Sequence, residues 1–281
     1  MSFLVEGTAS PVSRKVRKSP FGAVAIDKEM GHIVALSDSS LGRGTGFVQV
    51  RDVRDGALRR TVTTGIQPQL LVVTVVERSR RIFVTNRGAP KTAASAASMG
   101  SVSVLDADSG GVIRTVMVGA NPAAIVVSEK ARHVFVLNRD SHSVSMLDAL
   151  SGSVLRTVTV GQTPCAAVVD EKTQRVFVAN AGSGSVSMID ATTGKVLHTV
   201  HVGLNPDGIA IDAHIGHVFV TQMGAVSMLD ATSGLVLKTI QTMRAPLTVS
   251  VDERAGRVFV AGSDDGTLAV LRQLVLRHPI N

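Results

Sequence analysis

The stretch RVFVANAGSGSVSMIDATTG, residues 175–194, decides the fold. It reads as a strand, "RVFVAN" (175–180), a short polar loop, a second strand, "SVSMID" (185–190), and a turn, "ATTG". Val, Ile and Phe fill the strands, while Gly, Ser, Asp and Thr fill the gaps, as β propensity and turn chemistry require. Near-copies recur along the chain. Aligned on the aromatic position, they bring Phe83, Phe135, Phe177, Phe219 and Phe259 into register, with Val34 in the same slot at the start. The spacings are 49, 52, 42, 42 and 40 residues. A period of about 40 residues made only of short β signals is the mark of a β-propeller, one four-stranded blade per repeat.

In the copy around Phe177 the first strand is "CAAVVD" (165–170), and the turn "EKTQ" leads to "RVFVAN". After "ATTG" comes an outer strand, "KVLHTVHV" (195–202), and "GLNP" crosses to the next unit. First strands begin near Gly22, Gln69, Ala123, Cys165, Asp207 and Leu247, which makes six. The outer strands carry a basic residue or His at one matched position: Arg60, Arg114, Arg156, His198 and Lys238. The N-terminal "VSRKV" (12–16) puts Arg14 in that same register, and the last repeat has only a degenerate tail where its outer strand should be. The expectation is an all-β, six-bladed propeller of four-stranded antiparallel blades. Residues 1–281 form one domain, and the N-terminal strand completes the last blade; seven blades is the alternative. The matched charges read as protection of exposed sheet edges.

The third strands end in Asp52, Asp106, Asp148, Asp190 and Asp230, each followed four residues later by Gly. An Asp that accepts backbone N–H groups, followed by a Gly free to take positive φ, makes a tight hairpin turn. Sites are grafted onto folds rather than stamped into every repeat, so these aspartates read as a frame.

The strings "FVTN" (83–86), "FVLN" (135–138) and "FVAN" (177–180), with "VGANP" (118–122) and "VGQTP" (160–164), resemble the signature of the YVTN β-propeller family, Phe standing for the usual Tyr. The chain departs from that pattern at Ser37, Gln222 and Gly262, which replace the Asn. The resemblance covers nearly the whole chain. It implies a propeller of the surface-layer or cell-envelope kind, acting as a non-enzymatic binding or interaction module. Because lactonases and a lyase are related propellers, it also implies an alternative: an enzyme with a polar site at the mouth of the central channel.

Composition sets further bounds. The chain has no Trp, no Tyr and eight Phe, so Val, Ile, Leu, Ala and Met must supply most of the core. The single cysteine, Cys165, excludes an internal disulfide and reads as a small buried hydrophobe. No apolar run approaches the ~20 residues of a membrane-spanning helix. The N-terminus lacks the basic-then-apolar order of a secretory signal, so a cytoplasmic location stands beside the export that the resemblance implies. The net charge of +7 permits weak attraction to polyanions without specifying one.

Ligands of propellers usually meet the face that carries the inter-blade crossings and the loops between second and third strands. Two such loops are enlarged, "SSLGRGTG" and "RGAPKTAASAASMG", on neighbouring repeats. Basic and acidic residues nearly balance on this face, and stacking aromatics are lacking, which argues against a nucleic-acid groove. Among its residues Asn86, Asn138, Asn180 and Gln222 end successive second strands and form an arc of amides. Their expected first task is to tie down the backbone of the loop that follows, with direct contact to a ligand as the alternative. Asp207 and Arg244 are singular charges nearest the channel mouth, expected to pair or to orient a small polar ligand. Arg139 and His142 lie on the same face, where His142 with Asp140 is a conceivable base–acid pair. His32, His133 and His217 share one slot before the second strand and read as solvated. No metal-ligand set and no cofactor motif emerges, and the expected partner is a protein or small polar ligand of a monomeric chain.

Overall fold

The computed structural model describes residues 21–27, 32–37, 45–66, 73–76, 79–87, 99–242, 244–262 and 267–272. These form strands and, among the described residues, no helix. Among the described residues six antiparallel sheets follow one another, five of four strands and one of three. They are numbered here as blades 1 (21–66), 2 (73–120), 3 (122–159), 4 (164–201), 5 (209–241) and 6 (246–272). Blade 4 has its strands Pro164–Asp170, Arg175–Asn180, Ser185–Asp190 and Val196–His201 in simple succession. The first strands of consecutive blades lie against one another from blade 1 through blade 6. This is a β-propeller, its sheets stacked face to face with the first strands innermost. In blade 6 the third strand, Leu268–Arg272, has no fourth strand beside it among the described residues. The segment 12–16 expected there lies outside the described residues, as do most of both enlarged loops.

The second strands explain why the repeat reads as a continuous apolar run. In blades 2 to 5 every residue of this strand after the first is buried. A strand with one wet face alternates; one covered on both faces does not. Phe177 enters the seam with blade 5 and packs on Val218, Val220, Leu229 and Ala231. Val176 and Val178 turn the other way, onto Phe135 of blade 3. Phe83 and Phe219 fill the corresponding seams, so each aromatic plugs its blade into the next.

The aspartate turns form as expected. Asp190 Oδ1 accepts from the N–H groups of Thr192 (3.1 Å) and Thr193 (2.8 Å) and from the Thr193 hydroxyl (3.0 Å). Gly194, at φ +67°, donates back to the Asp190 carbonyl at 2.8 Å. A second bond reaches across the blade: Ala191 N–H donates to the Gln174 carbonyl at 3.0 Å, tying this turn to the one between the first two strands.

The donors hold all five carboxyls below their ordinary value of 3.8. The leading cause is the N–H of Arg54 at Asp52, Ser109 at Asp106, Ser151 at Asp148 and Ser233 at Asp230. At Asp190 burial pushes upward and is outweighed by the donors of Thr193. A carboxyl with a lowered folded pKa stabilises above its unfolded pKa, and that contribution is lost as pH falls through the folded value. The melting temperature should therefore stay level from about pH 7 to 5 and fall below about pH 4. A scan that stays level down to about pH 3 would show that these turns do not couple to stability.

Two expectations about the outer parts of the blades change. His133 is not a solvated residue: its Nδ1–H donates to the Ala191 carbonyl of blade 4 at 2.8 Å, and its ring meets Phe135 edge to face. His217 meets Phe219 in the same way. The third histidine of that slot, His32, has no described side chain. The matched basic residues also do more than guard an edge. A Cβ on Gly110 would lie 2.7 Å from Arg60 Cδ, and one on Gly194 would lie 3.3 Å from Arg156 Cδ. Each such side chain lies over the aspartate turn of the following blade.

Candidate functional site

The face that carries the crossings is built from two interlocked motifs. Asn138 and Asn180 are fully buried, with Asn86 and Gln222 nearly so. Asn138 Nδ2 donates to Ser143 Oγ (3.1 Å) and Ser145 Oγ (3.0 Å), and Asn180 does the same to Ser185 (3.2 Å) and Ser187 (3.0 Å). Asn86 bonds Ser101 and Ser103 likewise, and Gln222 Nε2 reaches Ser227 at 2.9 Å. The amides thus hold the hydroxyls of the third strand, not the loop backbone as expected, because the side chains turn into the blade. The glycine of the preceding crossing closes over them. A Cβ on Gly119 would sit 2.6 Å from Asn138 Cγ, and one on Gly161 would sit 2.7 Å from Asn180 Cγ. The strings "FVxN" and "VGxxP" are two halves of one inter-blade joint.

Above this joint the crossings are taut. Asn121, Thr163 and Asn205, each just before a proline, have φ of 54°, 56° and 49°. Positive φ suits Asn and is strained for a β-branched residue such as Thr163. The Thr163 N–H donates to His142 Nδ1 at 3.0 Å, which leaves the proton of a neutral ring on Nε2. His142 itself sits at φ 50°, where the next blade has Gly184. Asp140 does not meet His142 as a base–acid pair; it accepts from Asn121 Nδ2 at 3.0 Å, and Arg87 Nε donates to Asn121 Oδ1.

Asp207 and Arg244 are both exposed, and no ion pair joins them. Asp207 is anchored through its N–H to the Thr221 carbonyl at 3.2 Å. Cys165 is half-buried, and its thiol faces the Pro206 carbonyl at 3.3 Å with the Asp207 carbonyl at 4.0 Å. Burial first and Asp207 second push the Cys165 thiol up, while Arg139 pulls it the other way. The thiol stays protonated at neutral pH and is poorly suited to act as a nucleophile. Arg139, Cys165 and Asp207 come from adjoining parts of blades 3, 4 and 5, so the structure gathers two of the expected site residues around one half-buried thiol. Among the described residues no three His, Cys, Asp or Glu side chains come together to hold a metal ion. No helix there is long and apolar enough to cross a membrane.

Two features escaped the sequence reading. One is a cleft of about 260 Å³ on the rim between blades 1 and 2, bordered by Arg59, Arg60, Asp52 and Asp108. Its charges are largely satisfied internally, Arg59 by Asp52 at 2.7 Å and Asp108 by Arg80. The other is the hairpin of blade 5, where only Met223 and Gly224 join strands that four residues join in blades 3 and 4. The signal was present in "TQMGAV" against "ANAGSGSV".

Fold and site together define a β-propeller whose repeats are held by buried amide–hydroxyl joints beneath a charged loop face. Over residues 98–273, more than half its length, the chain matches the family described as outer membrane protein assembly factor BamB, and it belongs to that β-propeller repeat family. None of the curated proteins matches it. Among solved structures it is similar to the computationally designed Ika8 protein, with a TM-score of 0.69 at 17% identity over 90% of this chain and 71% of that one. At that identity the likeness shows the fold alone.

Proposed function

We propose that this protein is a non-enzymatic interaction module with repeats of the YVTN type, and that it binds through the crossing-and-loop face of blades 3 to 6. The observation that carries this reading is the division of labour on that face. The repeated amides are buried and spent on the frame, whereas Arg139 and the singular charges Asp207 and Arg244 are exposed. Membership in a family described as an outer membrane protein assembly factor supports a protein as the partner. The ring is six-bladed in this reading, and residues 12–16 fill the fourth-strand position beside Leu268–Arg272.

Asp207→Asn combined with Arg244→Ala tests the reading. Tagged wild type and double variant are used to capture partners from a lysate of the source cells, and their melting curves are compared. The double variant should lose the partner while melting within about 2 °C of wild type, since exposed substitutions rarely exceed ~0.5 kcal/mol. Undiminished capture would move the binding surface away from this face, to the basic rim.

A further inference from the structure

We infer that the Leu204–Met223 ridge on blade 5 is the anchor point for an acidic, aliphatic segment of a partner protein. This rests on the interaction-module reading and specifies where on the face the partner sits and what chemistry it brings.

The ridge is made by one backbone bond. Met223 N–H donates to the Leu204 carbonyl at 2.9 Å, which sets the tip of the shortened hairpin against the crossing from blade 4. In blades 3 and 4 the same bond joins Asp140 to Ala120 and Gly182 to Gln162, small or polar pairs. Here both members are large and apolar, and they are the two most exposed such residues described, Leu204 at 66% and Met223 at 65%. Gly224 beside them is open, with nothing within 4 Å of where a Cβ would stand. Leu247 of blade 6 is also exposed, and its carbonyl accepts from the Thr221 hydroxyl at 3.4 Å. Large apolar side chains gathered in the open on a loop face mark a contact site, and methionine adapts to partners of varied shape.

Charge selects the occupant. Gly224 accepts from Thr242 N–H at 3.0 Å, which brings the crossing to blade 6 alongside the ridge, and two residues on stands Arg244. Arg244 is exposed, and no described carboxylate pairs with it. Asp207 stands against Cys165, its carbonyl 4.0 Å from the thiol. A partner segment that seats an aliphatic side chain between Leu204 and Met223 therefore comes near the exposed Arg244 guanidinium, and a carboxylate next to its apolar residue completes the contact.

Three fluorescein-labelled nine-residue peptides test this by anisotropy: GSELLEDLG, its basic counterpart GSKLLKKLG, and the acidic but polar GSESSEDSG. Only the first should bind appreciably, and Leu204→Ser with Met223→Ser should weaken it at least tenfold while leaving the melting temperature unchanged. Arg244→Glu should reduce its binding and raise that of the basic peptide. Absence of binding by the first peptide, equal binding by the Ser variant, or preference for the basic peptide would each overturn the inference. So would sedimentation showing that the Ser substitutions abolish a dimer, or anionic phosphatidylglycerol vesicles whose binding depends on the ridge. None of these results touches the capture experiment with Asp207 and Arg244, which judges the interaction module itself.

Discussion

Replacing Phe177 by alanine should lower the unfolding free energy by about 3–5 kcal/mol. The side chain is fully buried and plugs the seam between blades 4 and 5, against Val218, Val220, Leu229 and Ala231. No neighbour can collapse into the hole without pulling the two sheets out of register, so transfer and cavity costs both count. A domain's total stability is ~5–15 kcal/mol, so one such loss leaves the ring marginal. Chemical denaturation read by circular dichroism measures it. A loss below about 1 kcal/mol would mean that the residue lies outside the seam.

The second large effect is expected at Gly203. Its φ is +132°, and a Cβ there would fall on the amide oxygen of Gln222. Gln222 stands where blades 2 to 4 have Asn, and its extra methylene carries the amide hard against the crossing. Gly203→Ala should cost roughly 2–4 kcal/mol, combining backbone strain with steric overlap. Gln222→Ala in the same chain should recover the overlap part while the strain remains, so the double variant should melt above Gly203→Ala alone. If both melt alike, the amide does not press on the glycine.

Much of this was legible in the sequence because it is local. The Asp-to-Gly spacing writes its own turn, and the first strands of blades 1, 3, 4, 5 and 6 and the second-strand runs around Phe83, Phe135, Phe177, Phe219 and Phe259 appear where their patterns put them. Asn138 and its partners Ser143 and Ser145 also stand close together in sequence, yet the sequence alone points the amide at the loop backbone. The choice between loop backbone and strand hydroxyls depends on which way the side chain turns at the end of a doubly covered strand. The bond of His133 is hidden for a related reason: its partner, Ala191, belongs to the next blade, and only stacking of the sheets brings the two within 2.8 Å. The Leu204–Met223 ridge was hidden because its exposure follows from a bond between a crossing and a hairpin, neither of which is unusual alone.

The central claim is that the repeated residues build the frame and the departures from the repeat make the surface. The most direct test compares the melting temperature of Asn138→Ala/Asn180→Ala with that of Leu204→Ser/Met223→Ser. Each substitution removes two buried amide–hydroxyl bonds and leaves a small cavity under the crossing, at about 1–3 kcal/mol per site, so the first variant should melt at least about 4 °C below wild type. The second, altered only at exposed side chains, should melt with wild type. A repeat variant that keeps its melting temperature while the ridge variant loses stability would contradict the account.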